Sequence, residues 1–192
     1  MYAGDRSRDV DGDLAAANGG TVAGSGRVQY RARMQRALPD LGPRGEGWVV
    51  LQGIIFLAIF GAGWMGPAWT GTPRLAGTAL GIAAIVAGGA LALRGVIDLG
   101  ESLTAVPRPK ERARLVERGA YRMVRHPIYG GLVLGAIGWG LAMAAPLAIA
   151  AGALLGVFFD LKSRREEAWL TDRYAEYPAY RARTRKLLPW IY

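Results

Sequence analysis

Two short stretches of this 192-residue chain carry side chains that could do chemistry. The first is Arg125-His126-Pro127-Ile128-Tyr129, which holds the one histidine of the chain. The second contains Glu166-Glu167 and, further on, Arg173. Read as a helix, Glu166, Leu170 and Arg173 share a face, because seven residues make almost two turns; Glu167 lies about a quarter turn away. An imidazole, two phenols (Tyr121 and Tyr129), two carboxylates and several guanidinium groups are the groups that hold a polar ligand. Each also has a plainer reading. Arg125, His126 and Tyr129 suit a membrane interface, where basic side chains snorkel and aromatic rings collect. Ser163 with Glu166 could form a capping box if a helix starts there, and Glu167 could be a solvated partner of an arginine. There is no cysteine, which excludes disulfides, a thiolate nucleophile and cysteine metal sites.

The elements that must position these groups are apolar. Trp48 to Gly66 contains no charge, Leu75 to Ile97 contains only Arg94, and Ile128 to Phe159 contains none. A helix needs about 20 apolar residues to cross a bilayer. The first two runs fit one crossing each. The third is too long for one and has Pro146 near its middle, so it reads as a hairpin of two short helices. In lipid the backbone must satisfy its own hydrogen bonds, so the runs are expected to be helical. The expectation is an all-α integral membrane protein with about four transmembrane helices, at about 48–66, 75–97, 128–145 and 146–161, and a cytoplasmic C-terminal helix. Residues 1–45 are polar, Gly-rich and charged, which predicts a disordered tail ahead of a membrane domain over 46–192. Acidic and basic residues there leave no room for a secretory signal.

The charge pattern supports the same topology. Of 24 basic residues, seven precede the first span, eight lie between Arg94 and Arg125, and eight lie between Lys162 and Lys186. Arg74 alone falls on the opposite side. The positive-inside rule then places both termini and the long middle loop in the cytoplasm. Small residues at four-residue spacing (Gly77 and Gly81, Gly131 and Gly135, Gly152 and Gly156) allow close helix approach. The hairpin returns the chain to the surface it left, so the two chemical stretches are expected to meet there. Polar groups converging beside an apolar cavity suit a small molecule with a polar part and a lipid tail.

These stretches resemble the membrane family of isoprenylcysteine carboxyl methyltransferases and phospholipid N-methyltransferases. The matching elements are Leu103, Thr104, Pro107 and Pro109, then Leu115-Val116, Gly119, Tyr121, the Arg125-His126-Pro127-x-Tyr129 box, Glu166-Glu167-x-x-Leu170, Tyr177, Tyr180 and Leu187-Leu188-Pro189. The resemblance implies S-adenosylmethionine as cofactor and no metal. It implies that Leu115, Val116, Tyr121, His126, Pro127, Ile128 and Tyr129 help enclose the cofactor and that Glu166, together with Glu167, binds a polar part of it, with Glu167 also a catalytic candidate. It places Lys162, where the family usually has arginine, at the acceptor. The turn Tyr174-Ala175-Glu176-Tyr177 is one residue shorter than the family's, and lacks its glycine. Arg173 is the candidate cation for an acceptor carboxylate, since arginine suits that geometry; a phenol or amine acceptor would need a base, and His126 or a glutamate could serve.

The leading expectation is therefore a methyltransferase acting on a lipophilic or lipid-linked acceptor by carboxyl or O-methylation, with phospholipid N-methylation as the alternative. A non-catalytic protein that binds membrane lipids through its basic loops is the reading of another class. Transport is disfavoured because ionisable groups are missing from mid-span. Nucleic-acid binding is disfavoured because the basic groups track the membrane boundary.

Overall fold

The computed structural model describes residues 41–65, 69–108 and 113–192. Most of the expected tail lies outside the described residues. So do Pro109 and the basic residues Lys110 and Arg112 of the middle loop.

Helix α1 spans Glu46–Met65 and α2 spans Gly71–Leu99. Glu46 sits in the first turn of α1, where a carboxylate complements the helix dipole. Gly100 ends α2 with φ 52°, a conformation that favours glycine. A loop with two 3-10 turns (Gly100–Ser102 and Gly119–Arg122) leads to α3, Pro127–Ala142, and then to α4, Pro146–Arg173. A short α5, Tyr177–Arg183, and an irregular tail complete the chain.

Helices α1, α2 and α4 are long and apolar enough to cross a membrane. Helix α3 has only 16 residues, about 24 Å at the usual rise, which is short of a hydrocarbon core about 30 Å thick. The four expected runs are thus all helical, but three are of crossing length and one is a shorter apolar helix. The last run is also longer than expected. Helix α4 continues unbroken from Pro146 to Arg173, so no helix starts at Ser163 and the capping box does not form. The Ser163 hydroxyl instead donates to the Asp160 carbonyl of its own helix, 2.9 Å away.

The α2–α3 seam is built from missing side chains. A Cβ added at Gly88 would lie 2.5 Å from the Gly131 carbonyl oxygen and 2.9 Å from the Gly135 nitrogen. One at Gly138 would lie 2.7 Å from the Gly81 carbonyl oxygen. The contact positions are Gly81, Gly88 and Gly95 on α2 and Gly131 and Gly138 on α3, a seven-residue rhythm that keeps one face toward the partner. The expected four-residue pairs pick out some of these positions but not the rhythm, and a Cβ at Gly135 would meet nothing. Around this seam the outer faces of α1 and α2 stay apolar and exposed, with Leu57, Leu75, Leu80 and Val86 all more than half exposed. That is the surface expected against lipid tails. The packed interior (Trp48, Ile59, Ala136, Leu155, Phe158 and Phe159) joins α1, α3 and α4.

Candidate functional site

The α3–α4 turn sits at one end, and the start of α3 and the second half of α4 lie side by side at the other. Pro127 occupies the first turn of α3, where its missing N–H costs nothing. This places His126 at the helix mouth with Tyr129 one turn inside. The His126 and Tyr129 rings stack at 5.4 Å, and Tyr129 stacks on Phe159 of α4 at 4.5 Å. The tail closes the arrangement. The Arg125 and His126 backbone N–H groups donate to the carbonyls of Arg185 and Lys186, at 2.9 and 3.0 Å. Gly130 faces the Leu187 carbonyl, with no room for a side chain between them.

The adjacent carboxylates Glu166 and Glu167 have different surroundings. Glu167 is 4 % exposed, so it is not a solvated residue. Its Oε1 accepts from Arg125 Nε at 2.9 Å and lies 3.1 Å from His126 Nε2, and its Oε2 lies 3.4 Å from Arg181 Nε. Arg125 also donates to the carbonyls of Arg181 and Thr184. Glu166 accepts from the Tyr129 hydroxyl at 3.0 Å, and its Oε2 lies 3.8 Å from His126 Nδ1.

A cavity of about 480 Å³ opens beside these groups. Its walls come from α1 (Gln52), the end of α2 (Val96, Leu99), the middle loop (Leu103 to Ala105, Ala113 to Val116), α3 (Ile128, Tyr129, Leu132), α4 (Lys162, Glu166, Leu170) and the tyrosines Tyr121, Tyr174, Tyr177 and Tyr180. Burial raises the phenols of Tyr121, Tyr177 and Tyr180 well above their ordinary value, so they remain neutral donors. Tyr180 donates to the Tyr121 carbonyl at 2.8 Å and Tyr174 to the Ala113 carbonyl at 2.6 Å, which pins the loop over the cavity. The buried Asp98 fixes the loop from the other side by accepting from the Ala120 N–H at 2.8 Å. Gly119, with φ +59°, lies against that carboxylate and leaves no room for a Cβ.

Of the residues singled out from sequence, Leu115, Val116, Tyr121, His126, Ile128, Tyr129, Lys162 and Glu166 line the cavity. Pro127 is buried behind them as the start of α3. Two residues stand elsewhere. Arg173 is exposed at the end of α4, over the Tyr174 ring, and does not reach the cavity wall. Glu167 faces away from the cavity into Arg125, His126 and Arg181, because a quarter turn of helix separates it from Glu166. The shortened turn before Tyr177 needs no glycine, since none of its residues takes a positive φ. Sequence reasoning missed Gln52, although a visible signal marked it: it is the one polar side chain in the run Trp48 to Gly66 apart from the indoles.

The sequence profile of the family described as Phospholipid methyltransferase matches residues 76–177. A probable protein-S-isoprenylcysteine O-methyltransferase of Oryza sativa subsp. indica is 30% identical over 116 residues, which cover 58% of this chain and 61% of that protein. Protein-S-isoprenylcysteine O-methyltransferase B of Arabidopsis thaliana is 29% identical over 115 residues, 58% of each chain. The chain thus spans about three-fifths of the length of the curated relatives it matches. Among solved structures, the eukaryotic intramembrane Ras methyltransferase ICMT (isoprenylcysteine carboxyl methyltransferase) superposes with a TM-score of 0.58 at 21% identity, over 79% of this chain and 55% of that one. That likeness establishes a shared fold, an all-helical integral membrane architecture. The profile covers more than half of the sequence and takes in the His126 box, the α3–α4 hairpin and both glutamates: the chain belongs to the phospholipid methyltransferase family.

Proposed function

We propose that this protein transfers a methyl group from S-adenosylmethionine to the carboxylate of a lipid-linked acceptor, in the manner of an isoprenylcysteine carboxyl methyltransferase. The observation that carries the reading is the cavity itself, which joins a polar end (Glu166, His126, Tyr129, Lys162) to an apolar wall from the end of α2, the middle loop and α3. Its volume falls within the range of about 300–1,000 Å³ usual for small-molecule sites. The residues fit the cofactor. Glu166 is a carboxylate for a cationic amino group or sulfonium, tyrosine faces attract such cations, and Arg114 offers a guanidinium for a carboxylate.

The bound cofactor supplies a methyl group on a sulfonium; an acceptor oxygen forms the new C–O bond as the C–S bond breaks, leaving a neutral thioether. The chain's task is alignment and exclusion of water, which is worth about 7–11 kcal/mol when two reactants are held in attack geometry. In this reading the loop residues Leu115, Val116 and Tyr121 cover the cofactor, and Tyr129 holds Glu166 toward it. Lys162 positions the acceptor's anionic head, the role that Arg173 cannot fill from its exposed position. Glu167 is a positioning residue that acts through Arg125 and His126. The positive-inside bias of the basic segments supports a cytoplasmic side for both termini and this polar end.

The test uses the full chain in lipid nanodiscs with labelled S-adenosylmethionine and an S-prenylated cysteine bearing a free carboxylate. Label released by mild base is expected, because a methyl ester hydrolyses and a methylated amine does not. The family's description supports a second reading, N-methylation of a phospholipid amine, in which Glu166 or His126 would take the proton. Base-stable label in the phospholipid fraction would establish that reading. Absence of cofactor binding, with Glu166→Ala no different from wild type, would overturn both.

A further inference from the structure

Among the described residues two lysines are deeply buried, and they are treated differently. Lys186, 8 % exposed, is ion-paired with Asp160. Lys162, 1 % exposed, donates to Gln52 Oε1 at 2.7 Å and to the Ala105 carbonyl at 3.2 Å. Its ammonium lies over the Tyr129 and Phe159 rings, 5.2 and 5.8 Å from their centres. Among the described residues no carboxylate forms an ion pair with it. Neutral oxygens and ring faces satisfy N–H bonds but leave the charge in place. A buried charge is costly unless it is paired. An ammonium also has three donors, and two are used here. The free donor borders the cavity, and the charge meets only the through-space field of Glu166 across it, with no ion pair in contact.

We propose that Gln52 is a positioning residue that presents Lys162 to the cavity as an intact cation, so that the site selects an acceptor with a carboxylate head over an uncharged one. The inference rests on the methyl-transfer reading above but adds a residue that lies outside the family match, which begins at residue 76. The choice of side chain carries the argument. A glutamate at position 52 would fix the ammonium equally well and cancel its charge. A leucine would suit the apolar run and release the ammonium. Glutamine is the residue that accepts a hydrogen bond from Lys162 while leaving it charged. Among the described residues it is the only side-chain hydrogen bond from α1 to the site; the rest of that interface is aromatic and aliphatic (Trp48 on Phe158, Phe56 near Phe159, with Ile55 and Ile59).

The experiment measures binding of farnesylthioacetate and of its carboxamide by calorimetry to the full chain in nanodiscs, with empty nanodiscs subtracted. Binding of S-adenosylmethionine is measured in parallel. Wild type is expected to prefer the carboxylate by about tenfold or more, the scale of one charge-assisted hydrogen bond. Gln52→Glu is expected to abolish the preference, and a protein that still binds the cofactor shows that the cavity remains folded. Gln52→Leu, which cannot neutralise the lysine, is expected to weaken carboxylate binding yet keep a residual preference. An undiminished preference in Gln52→Glu overturns the proposal, and so does equal binding of acid and amide by wild type. Should Gln52→Glu not fold, an unchanged carboxylate affinity in Gln52→Leu overturns it. Failure of the methyl-transfer reading is recognised separately, as absence of cofactor binding in wild type with the acid-over-amide preference intact.

Discussion

The two seams of α3 are made by opposite means. Against α2, the closest contacts are between glycine positions and the facing backbone. Against α4 and the tail, the start of this helix and the two residues before it present Arg125, His126 and Tyr129 to Glu166 and Glu167 through named hydrogen bonds. The first seam is specified by volume and is indifferent to charge. The second is specified by charge at its site end, although Gly130, Gly140 and Gly152 leave its backbone contacts little spare volume as well. A membrane helix needs the first kind because lipid gives apolar side chains no reason to prefer a neighbouring helix. The second kind sits where a ligand must be bound.

The most damaging test of that contrast is Gly88→Leu. The new side chain would point into the Gly131 carbonyl and the Gly135 nitrogen, which are backbone and cannot swing aside. Overpacking of this sort costs about 3 kcal/mol or more, so little monodisperse protein is expected on size-exclusion chromatography. Gly135→Ala is the control. Its Cβ meets nothing, and alanine is favoured over glycine in a helix by about 1 kcal/mol, so the melting temperature should hold or rise.

Next in size is Glu167→Gln. The substitution keeps the volume and strips the countercharge from Arg125 and Arg181. Removing one partner of a buried pair costs about 3–5 kcal/mol, although Arg181 is exposed and Arg125 keeps its carbonyl acceptors, which points to the low end. A large drop in thermal stability, with the loss of cofactor binding following from it, is the expected result. An unchanged melting temperature would show that the charge seam is not what holds α3 to α4.

Glu166→Gln should behave in the reverse way. Glu166 faces the cavity and, among the described residues, has the Tyr129 hydroxyl as its one hydrogen-bonded partner at normal distance. The fold is expected to survive. Affinity for S-adenosylmethionine is expected to fall about 10- to 100-fold, the value of a charged hydrogen bond of about 1.5–3 kcal/mol. Two neighbouring glutamates that separate stability from binding would sharpen the comparison; two that lose both together would erase it.

The separation of these glutamates was only half legible in the sequence. The apolar runs and Pro146 specified the helices and their hairpin, since periodicity and length are local properties. The hairpin in turn implied that His126 and Glu166 meet. The path of α4 past the membrane surface was not legible, because Lys162 to Arg173 reads equally as a new helix with its own cap. Only the unbroken helix shows that Glu167 turns inward and Arg173 outward. Nor could spacing show that Arg125 pairs with Glu167 or that the tail runs beside Met123 to His126, contacts that join residues 42 to 62 positions apart. Such contacts depend on tertiary packing and leave no local pattern.

The smallest expected effect concerns Tyr177, which belongs to both seams' logic. It is 1 % exposed, lines the cavity, and its hydroxyl has no hydrogen-bond partner among the described residues. A buried donor left unpaired costs about 1–3 kcal/mol. Tyr177→Phe removes that cost, so the ligand-free protein should be as stable as wild type or slightly more so, a few degrees at most in melting temperature. A tyrosine held only for structure would lose stability instead. Ligand affinity should fall by a few-fold, as the phenol's acceptor is then unmet. Alkaline pH gives an independent check. Burial raises the Tyr177 phenol above its ordinary 10.0, so the folded state keeps a proton that the unfolded chain releases. Stability from this group is intact below about pH 10 and declines as pH rises further. In Tyr177→Phe that alkaline decline should be shallower by the share of one proton, while the decline due to Tyr121 and Tyr180 remains.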